Sequence, residues 1–449
     1  MHIKNEGRVF RAVFVGSGPA GTGPVICALQ QGRLQALLDA GIAMLDRNNR
    51  MCRGTLGQYV INSDTLSNTF LECLQGREEG LLAPAAQSPA RHALHAYAGG
   101  PAPLALAGEF LNELGSALQT DFDAHPISQF FPGATATAIR RQNNGLYEVS
   151  ATQVDEAGEA QTVCLKAECV VLATGGQQNR ASVLGERIAR TIPLSPDYDD
   201  KVVLSNMALQ TEGVAWIRRR LMAHSNRKVV IIGGSHSATS SAWTLLNKSG
   251  LPFGEGDITI LHRDKLKLFY PSKEAAHAEG YTDFDDQDIC PLTRRVYRLA
   301  GFRFDSRELL MRIWGMGNRE PERRVRLVQL AADGSDAGDV RRLLDEAAVI
   351  ITAFGYRPAC IPVYDEAGCE LKLLANGVGA PPLVDEQCRV LDDAGMPIVN
   401  LYGIGLASGF VPSGHLGGEP SFRGQTNGLW LYQNGVGEII LNTLLPVDT

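Results

Sequence analysis

The chain has 449 residues and a net charge of −7, an acidic balance that argues against nucleic acid as its main partner. Apolar residues make up 44% and charged residues 20%, which excludes a disordered chain, and no apolar run is long enough for a membrane helix. The nine cysteines include no Cys-x-x-Cys pair, and no His/Cys cluster has metal-ligand spacing, so reduced thiols and no metal site are expected. The first residues carry no apolar signal segment, and the expected location is cytoplasmic. The 48 glycines lack a Gly-X-Y period and point to a fold with many close backbone approaches.

Val9 to Val15 reads as a buried strand, followed by Gly16-Ser17-Gly18-Pro19-Ala20-Gly21 and a helical pattern from Val25 to Leu29. This is Gly-x-Gly-x-x-Gly between strand and helix. Gly16 permits the tight turn, Gly18 lets a pyrophosphate reach the backbone, and Gly21 lets helix and strand pack closely. The helix start offers free N–H groups and a partial positive charge to phosphate. Strand Ile42 to Leu45 ends in Asp46-Arg47, which places a carboxylate where an adenosine ribose would lie. Its distance from the loop is long because Gln31 to Gly41 extends the connection. The competing reading is a Gly-rich turn with an incidental Asp.

Arg53 to Tyr59 follows. Asn62-Ser63-Asp64 reads as a cap before a helix from Leu66 to Leu74. Residues 65–130, rich in Ala, Leu and Pro, read as a helical substrate insertion. Thr135 to Arg141, Gly145 to Gln153 and Gln161 to Lys166 read as a three-stranded meander. A further strand, Glu168 to Leu172, runs into Ala173-Thr174-Gly175-Gly176. With the first loop in front of it, this order resembles the FAD domain of flavoproteins that bind two dinucleotides.

Lys228 to Ile232 is another strand. It leads into Gly233-Gly234-Ser235-His236-Ser237-Ala238 and a helix from Thr239 to Asn247, a relaxed form of the same fingerprint. Strand Ile258 to Leu261 ends in His262-Arg263, with Lys265 beyond. A basic residue in place of the acidic one suits the extra phosphate of NADP, so Arg263, helped by Lys265, is the candidate there. His236 reads as a positioning or solvated residue rather than a catalytic one. Arg218-Arg219-Arg220 and Arg323-Arg324-Val325-Arg326 read as solvated element ends. Neither Asp288 to Pro291 nor a helix from Ser306 to Trp314 is diagnostic.

Ala348 to Thr352 is a strand leading into Ala353-Phe354-Gly355-Tyr356. Ile398 to Leu406, with Gly403 and Gly405, is the last strand and turn. Ser408 to Glu419 reads as a glycine-rich lid or as a plain surface loop. Ser421 to Asn427, including Thr426, carries many polar groups, and a final helix from Gln425 to about Leu444 is expected.

These pieces resemble the single-component, NADPH-dependent flavin monooxygenases, nearest to the amine N-hydroxylases acting on ornithine and lysine. The matching residues are Gly16-Ser17-Gly18-Pro19, Gly233 to Ala238, Ala353 to Tyr356, and the final loop and helix. The family writes Thr where this chain has Phe354. The resemblance implies an α/β fold of two Rossmann-like domains, the NADP domain inserted in the FAD domain, with a small helical substrate region. The expected boundaries are 1–205 and 341–449 for FAD and 206–340 for NADP. It implies FAD and NADPH as cofactors, and a small amine or amino-acid-like substrate oxygenated by dioxygen through a hydroperoxyflavin. Gln58 and Asn427 are then the flavin-edge candidates, and the final helix would point its positive end at the flavin. A homo-oligomer stays open. Three alternatives stand beside this reading. One is an FAD oxidase or dehydrogenase with a vestigial NADP site. Another is a disulfide reductase, which would need a redox Cys pair. The third is a catalytically silent flavin-binding sensor.

Overall fold

The computed structural model describes residues 7–155, 157–377 and 381–446. Val9–Val15 is the axis of a ten-stranded sheet, flanked in parallel by Ile42–Leu45 and by Ala160–Leu172. Near-continuous runs of Val, Ile and Leu suit strands covered on both faces. Gln129–Phe131 extends the sheet beyond Ile42–Leu45, and Pro397–Gly403 returns to pair with the end of Ala160–Leu172. The meander is present as Ala134–Arg141, Tyr147–Val154 and Ala160–Leu172. Its third strand and the strand ending at Leu172 are one continuous element, because Lys166 and Ala167 pair on both sides without a break.

A second, five-stranded sheet is parallel throughout, in the order Val202–Leu204, Val349–Thr352, Val229–Ile232, Ile258–His262, Val325–Gln329. It therefore takes in strands on both sides of the expected 206–340 segment. Its two faces feed separate cores, Val229 and Ile231 on one side and Val230 and Ile232 on the other. A third small core lies in the excursion between Ile258–His262 and the helix Phe304–Ile313. Leu268, Tyr270, Tyr281, Val296, Tyr297 and Phe302 pack there against Leu310 and Met311.

Several local expectations are corrected. A helix, Leu34–Asp39, fills the long connection before Asp46. Asn62 to Asp64 is not a cap: Asn62–Leu66 is a strand paired antiparallel with Pro101–Pro103. The Ser63 hydroxyl serves that strand, donating to Thr65 O and accepting from Ala102 N–H. The helix behind it starts at Ser67, is α-helical to Leu71 and tightens into a 3-10 turn over Glu72–Leu74. Within 65–130 the dominant element is the helix Leu104–Ala124. The helix after the second glycine loop starts at His236 and ends at Lys248, and the one expected from Ser306 runs Phe304–Ile313.

The last helix is broken. Gln425 to Gly428 is not helical, Leu429–Gln433 is a short helix, and Gly435–Leu444 continues after a kink at Asn434. The cause is packing against the first helix, Gly23–Gln30. The Tyr432 carbonyl sits where a Cβ on Gly23 would lie 2.3 Å away and one on Gly437 2.2 Å away. Two glycines therefore admit a carbonyl that an unbroken helix would have turned inward.

Candidate dinucleotide sites

The two glycine loops are built alike. Gly16 N–H donates to Leu45 O at 2.8 Å, and Gly233 N–H donates to Leu261 O at 2.8 Å. Ala173 N–H donates to Val15 O, and Ala353 N–H donates to Ile232 O. Gly16 has φ +104 and Gly233 φ +146. A Cβ would stand 2.3 Å from Ala173 O in the first loop and 2.4 Å from Ala353 O in the second. Only glycine fits either turn. Gly175 and Gly355 close the neighbouring turns with φ +73 and +84. Each loop thus lies at the carboxyl end of a central parallel strand, beside a strand ending in Ala-x-Gly, where open α/β sheets bind nucleotides.

In the first loop a Cβ on Gly21 would lie 2.0 Å from Gly16 O, so Gly21 serves close packing. Gly18 is open, its nearest neighbour being Gly54 Cα, 3.4 Å from a notional Cβ. The N–H groups of Gly18, Ala20 and Gly21 have no protein acceptor among the described residues. That is a cradle for phosphate oxygens. The Asp46 carboxylate is buried and fully used. One oxygen accepts from Ser17 N–H at 2.7 Å and Ser17 Oγ at 3.1 Å, the other from Asn48 N–H and Nδ2 at 2.8 and 2.9 Å. Asp46 therefore ties the strand end to the loop, and a ribose hydroxyl would share or displace the Asn48 contact. Arg47 is exposed beside it.

Three further segments converge on this loop. Gly54 lies against Gly18 and Pro19, which brings Arg53 to Gln58 alongside. Gly405, φ +119, packs against Ala20, its notional Cβ 3.2 Å from that of Ala20. Gly403 is fixed by packing, since a Cβ would lie 2.7 Å from Val384 Cγ1. Thr174 and Gly175 adjoin Gly16 through Ala173. Gln58 is exposed at the end of the turn Leu56–Gln58, on the wall of a cavity of about 510 Å³ shared with Arg50, Arg53 and Glu109. Thr426 is anchored, N–H and hydroxyl both donating to Phe410 O, and Asn427 next to it is exposed. These residues fit an FAD molecule laid across the loop.

The second loop also leaves backbone amides open. The N–H groups of His236 and Ser237, first in their helix, have no protein acceptor among the described residues. Ser235 is exposed and leaves its hydroxyl uncommitted, while Ala238 is buried and allows close packing. The His236 ring lies 4.8 Å from the Phe302 ring, and its Nε2 is buried with no hydrogen-bond partner, 3.9 Å from Asp64. Burial, with the Arg303 charge added, pushes its pKa below the ordinary imidazole value despite Asp64. Arg263 is exposed and its side chain uncommitted, whereas Lys265 is paired with Asp283 at 2.5 Å and so is not free to assist it.

The segment Ser408 to Glu419 is not a free lid. Glu419 is only 3% exposed and accepts from Leu299 N–H and Ala300 N–H at 2.9 and 2.8 Å. Arg298 donates to Leu416 O, and Ser421 donates to Asp288 at 2.6 Å. The loop is clamped to the aromatic excursion of the second unit. Sequence reasoning missed this clamp, and it missed the joint between the two loops. There Gly176–Gln177 pairs with Arg357–Pro358, and Gln178 bonds Ser205 Oγ, Gly355 O and Asn206 N–H. Asn206 in turn accepts from Tyr59 at 2.5 Å. The run Gly-Gly-Gln-Gln-Asn after the Ala-Thr turn was the available signal. Cys52 and Cys73 are buried, and burial pushes both thiols up to about 12, away from the thiolate form that a redox nucleophile needs.

No family model matches the chain. It is 31% identical over 445 residues, 98% of each chain, to CMP-5'-(3-aminopropyl)phosphonate hydroxylase from Streptomyces rubellomurinus. Its fold is similar to that of the cadaverine monooxygenase of the desferrioxamine pathway from Erwinia amylovora, solved with FAD (TM-score 0.55, 13% identity, 98% and 95% of the chains covered). It is also similar to ornithine hydroxylase from Pseudomonas aeruginosa in its reduced form (TM-score 0.51, 15% identity, 98% and 100% covered). With two matched nucleotide loops and this full-length likeness, the chain belongs to the flavin-dependent monooxygenase family of that hydroxylase, on the fold it shares with the cadaverine and ornithine enzymes.

Proposed function

We propose that the protein N-hydroxylates a primary amine carried on an anionic phosphonate or nucleotide-phosphonate, using NADPH and dioxygen. The overall balance is RNH2 + O2 + NADPH + H+ giving RNHOH + NADP+ + H2O. The observation that carries the reading is the pair of equivalent loops joined through Gly176 and Gln178, in a chain similar throughout its length to a hydroxylase of an aminopropylphosphonate nucleotide.

FAD, when bound, supplies oxygen activation and electron transfer. Gly16 to Gly21 would hold its pyrophosphate, and Asp46 with Arg47 its adenosine end. Thr174, Gly175, Gly403, Gly405, Thr426 and Asn427 would line the remainder. NADPH would lie on Gly233, Ser235, His236, Ser237 and Ala238, with Arg263 meeting the extra phosphate. Gln58 and Asn427 are neutral amides at the expected ring edge, able to orient groups there without adding charge. The amine must arrive as the free base, because an ammonium has no lone pair to offer. The preserved amide geometry of the second loop weighs against a vestigial NADP site.

The test is to incubate purified holoprotein, NADPH and air with CMP-5'-(3-aminopropyl)phosphonate, 3-aminopropylphosphonate, ornithine, lysine and cadaverine. A product one oxygen heavier, formed in proportion to NADPH consumed, is expected for a phosphonate. Release of hydrogen peroxide with every amine and no oxygenated product would overturn the proposal.

A further inference from the structure

The two units meet along a seam of polar and charged side chains. The strand Asn62–Leu66, from the helical insertion of the ten-stranded unit, faces the helices His236–Lys248 and Phe304–Ile313 of the five-stranded one. They enclose a cavity of about 20 Å³, whose walls include Asn62, Asp64, Ser240, Arg303 and Asp305. Two contacts across this region are settled. Asn62 Nδ2 donates to Asp305 at 2.8 Å, and Thr239 Oγ1 donates to Ser306 Oγ at 2.8 Å.

His236 is not settled. It is the first residue of its helix, and its backbone N–H is one of the open amides of the second loop. Its side chain turns into the seam, with the ring against Phe302 and Nε2 covered, without a hydrogen-bond partner, 3.9 Å from the Asp64 carboxylate. One residue thus belongs to the amide cradle through its backbone and to the neighbouring unit through its side chain.

At 3.9 Å a neutral imidazole makes no hydrogen bond to Asp64, whereas a protonated one gains a charge-assisted bond by closing about 1 Å. The surroundings hold the free protein near that balance. Burial disfavours the protonated ring most, Asp64 on the strand favours it, and Arg303 ahead of the helix Phe304–Ile313 disfavours it. Asp305 lines the same cavity but is engaged by Asn62. The helix start adds a partial positive charge of its own. A pyrophosphate on the His236 and Ser237 amides brings negative charge to this same residue and reverses the balance.

We infer that His236 is a positioning residue: a dinucleotide phosphate on the second loop draws a proton from solvent onto its imidazole, which then pairs with Asp64 and ties the two units together. The inference rests on the reading of the second loop as the nicotinamide site and gives that site a means of acting on the other unit. Hydride transfer needs the two units held in one relation, and this tie forms only while the cofactor is in place.

Calorimetric titration of the holoprotein with NADP+, in buffers of different ionisation enthalpy, counts the protons taken up. Near pH 6.5 the parent should take up roughly half a proton more than His236→Asn. Any change at the cofactor's own 2′-phosphate is common to both and cancels in the difference. Asp64 is exposed and lies on the other unit, so Asp64→Asn carries little risk to folding and alters the count only through the imidazole. It should remove most of the excess. An excess under about 0.1 proton, or one that Asp64→Asn leaves intact, overturns the inference. Should NADP+ not bind the parent at all, the nicotinamide reading fails, and histidine resonances decide the tie. In histidine-labelled holoprotein the His236 signal is identified by its loss in His236→Asn and titrated with and without inorganic pyrophosphate. A rise in its pKa with pyrophosphate that Asp64→Asn diminishes supports the tie. No rise, or a rise indifferent to Asp64→Asn, overturns it.

Discussion

Replacing Gly233 by alanine should silence NADPH while sparing the flavin. The new Cβ would stand 2.4 Å from Ala353 O, at a residue with φ +146. An ordinary carbon–oxygen approach is roughly 3.3 Å, so the loop must retreat by about 0.9 Å. The unfavourable backbone conformation costs about 1–3 kcal/mol and the clash about 1–3 kcal/mol more. The loop relieves both by moving away from Ala353, which carries the free amides of His236 and Ser237 out of register with a pyrophosphate. A loss of about 2 kcal/mol in dinucleotide binding is already about thirtyfold in affinity. The assay is anaerobic flavin bleaching against NADPH concentration, with flavin content measured on the same sample after gel filtration. Gly16→Ala is the mirror experiment, with a clash of 2.3 Å on Ala173 O, and should instead yield protein that loses its flavin. If Gly233→Ala kept the parent's NADPH affinity, or lost FAD in place of NADPH, the assignment of one cofactor to each loop would be wrong.

Three other outcomes are expected. Asp46→Ala removes the acceptor for the buried Ser17 N–H and should cost about 2–3 kcal/mol in urea unfolding, with faster loss of flavin; a change under about 0.5 kcal/mol would show that the loop does not depend on this carboxylate. Glu419→Ala should lower the melting temperature and raise the hydrogen peroxide released per NADPH, because the clamp on Leu299 and Ala300 is gone; unchanged coupling would separate the clamp from the reaction. The folded His236 has a lower pKa than the unfolded 6.5, so its contribution is complete above that pH and is lost as pH falls toward the folded value. The melting temperature of the protein should therefore drop more steeply below pH 6.5 than that of His236→Asn, and parallel curves would contradict it.

The glycine loops were legible because their geometry leaves no choice of residue: a carbonyl 2.3–2.4 Å from any Cβ admits glycine alone. Strands such as Val229–Ile232 announce themselves by unbroken apolar runs. Asn62 to Asp64 misled because the same short polar side chains suit a helix cap and an edge strand, and only the partner at Pro101–Pro103 decides. The break at Asn434 depends on Gly23, some four hundred residues away. The excursion that clamps the loop was unreadable for a related reason. Its core is Tyr270, Tyr281, Tyr297 and Phe302, held by isolated bridges with neither helical nor strand period. Contacts such as Gln178 to Gly355 join segments that meet only after both units have folded.

The order in which the chain supplies its strands has a consequence for biogenesis. The five-stranded sheet is complete once Thr352 has been made, so the unit built on it can form while synthesis continues. The ten-stranded unit opens with Val9 but still lacks Pro397–Gly403, Gly405 against Ala20, and the helix that receives Gly23. Its cradle closes only when the last segment emerges from the ribosome. On the proposed assignment of one cofactor to each loop, flavin loading is a late event, and chains interrupted between these two points should accumulate as species that take up nicotinamide nucleotide but remain colourless.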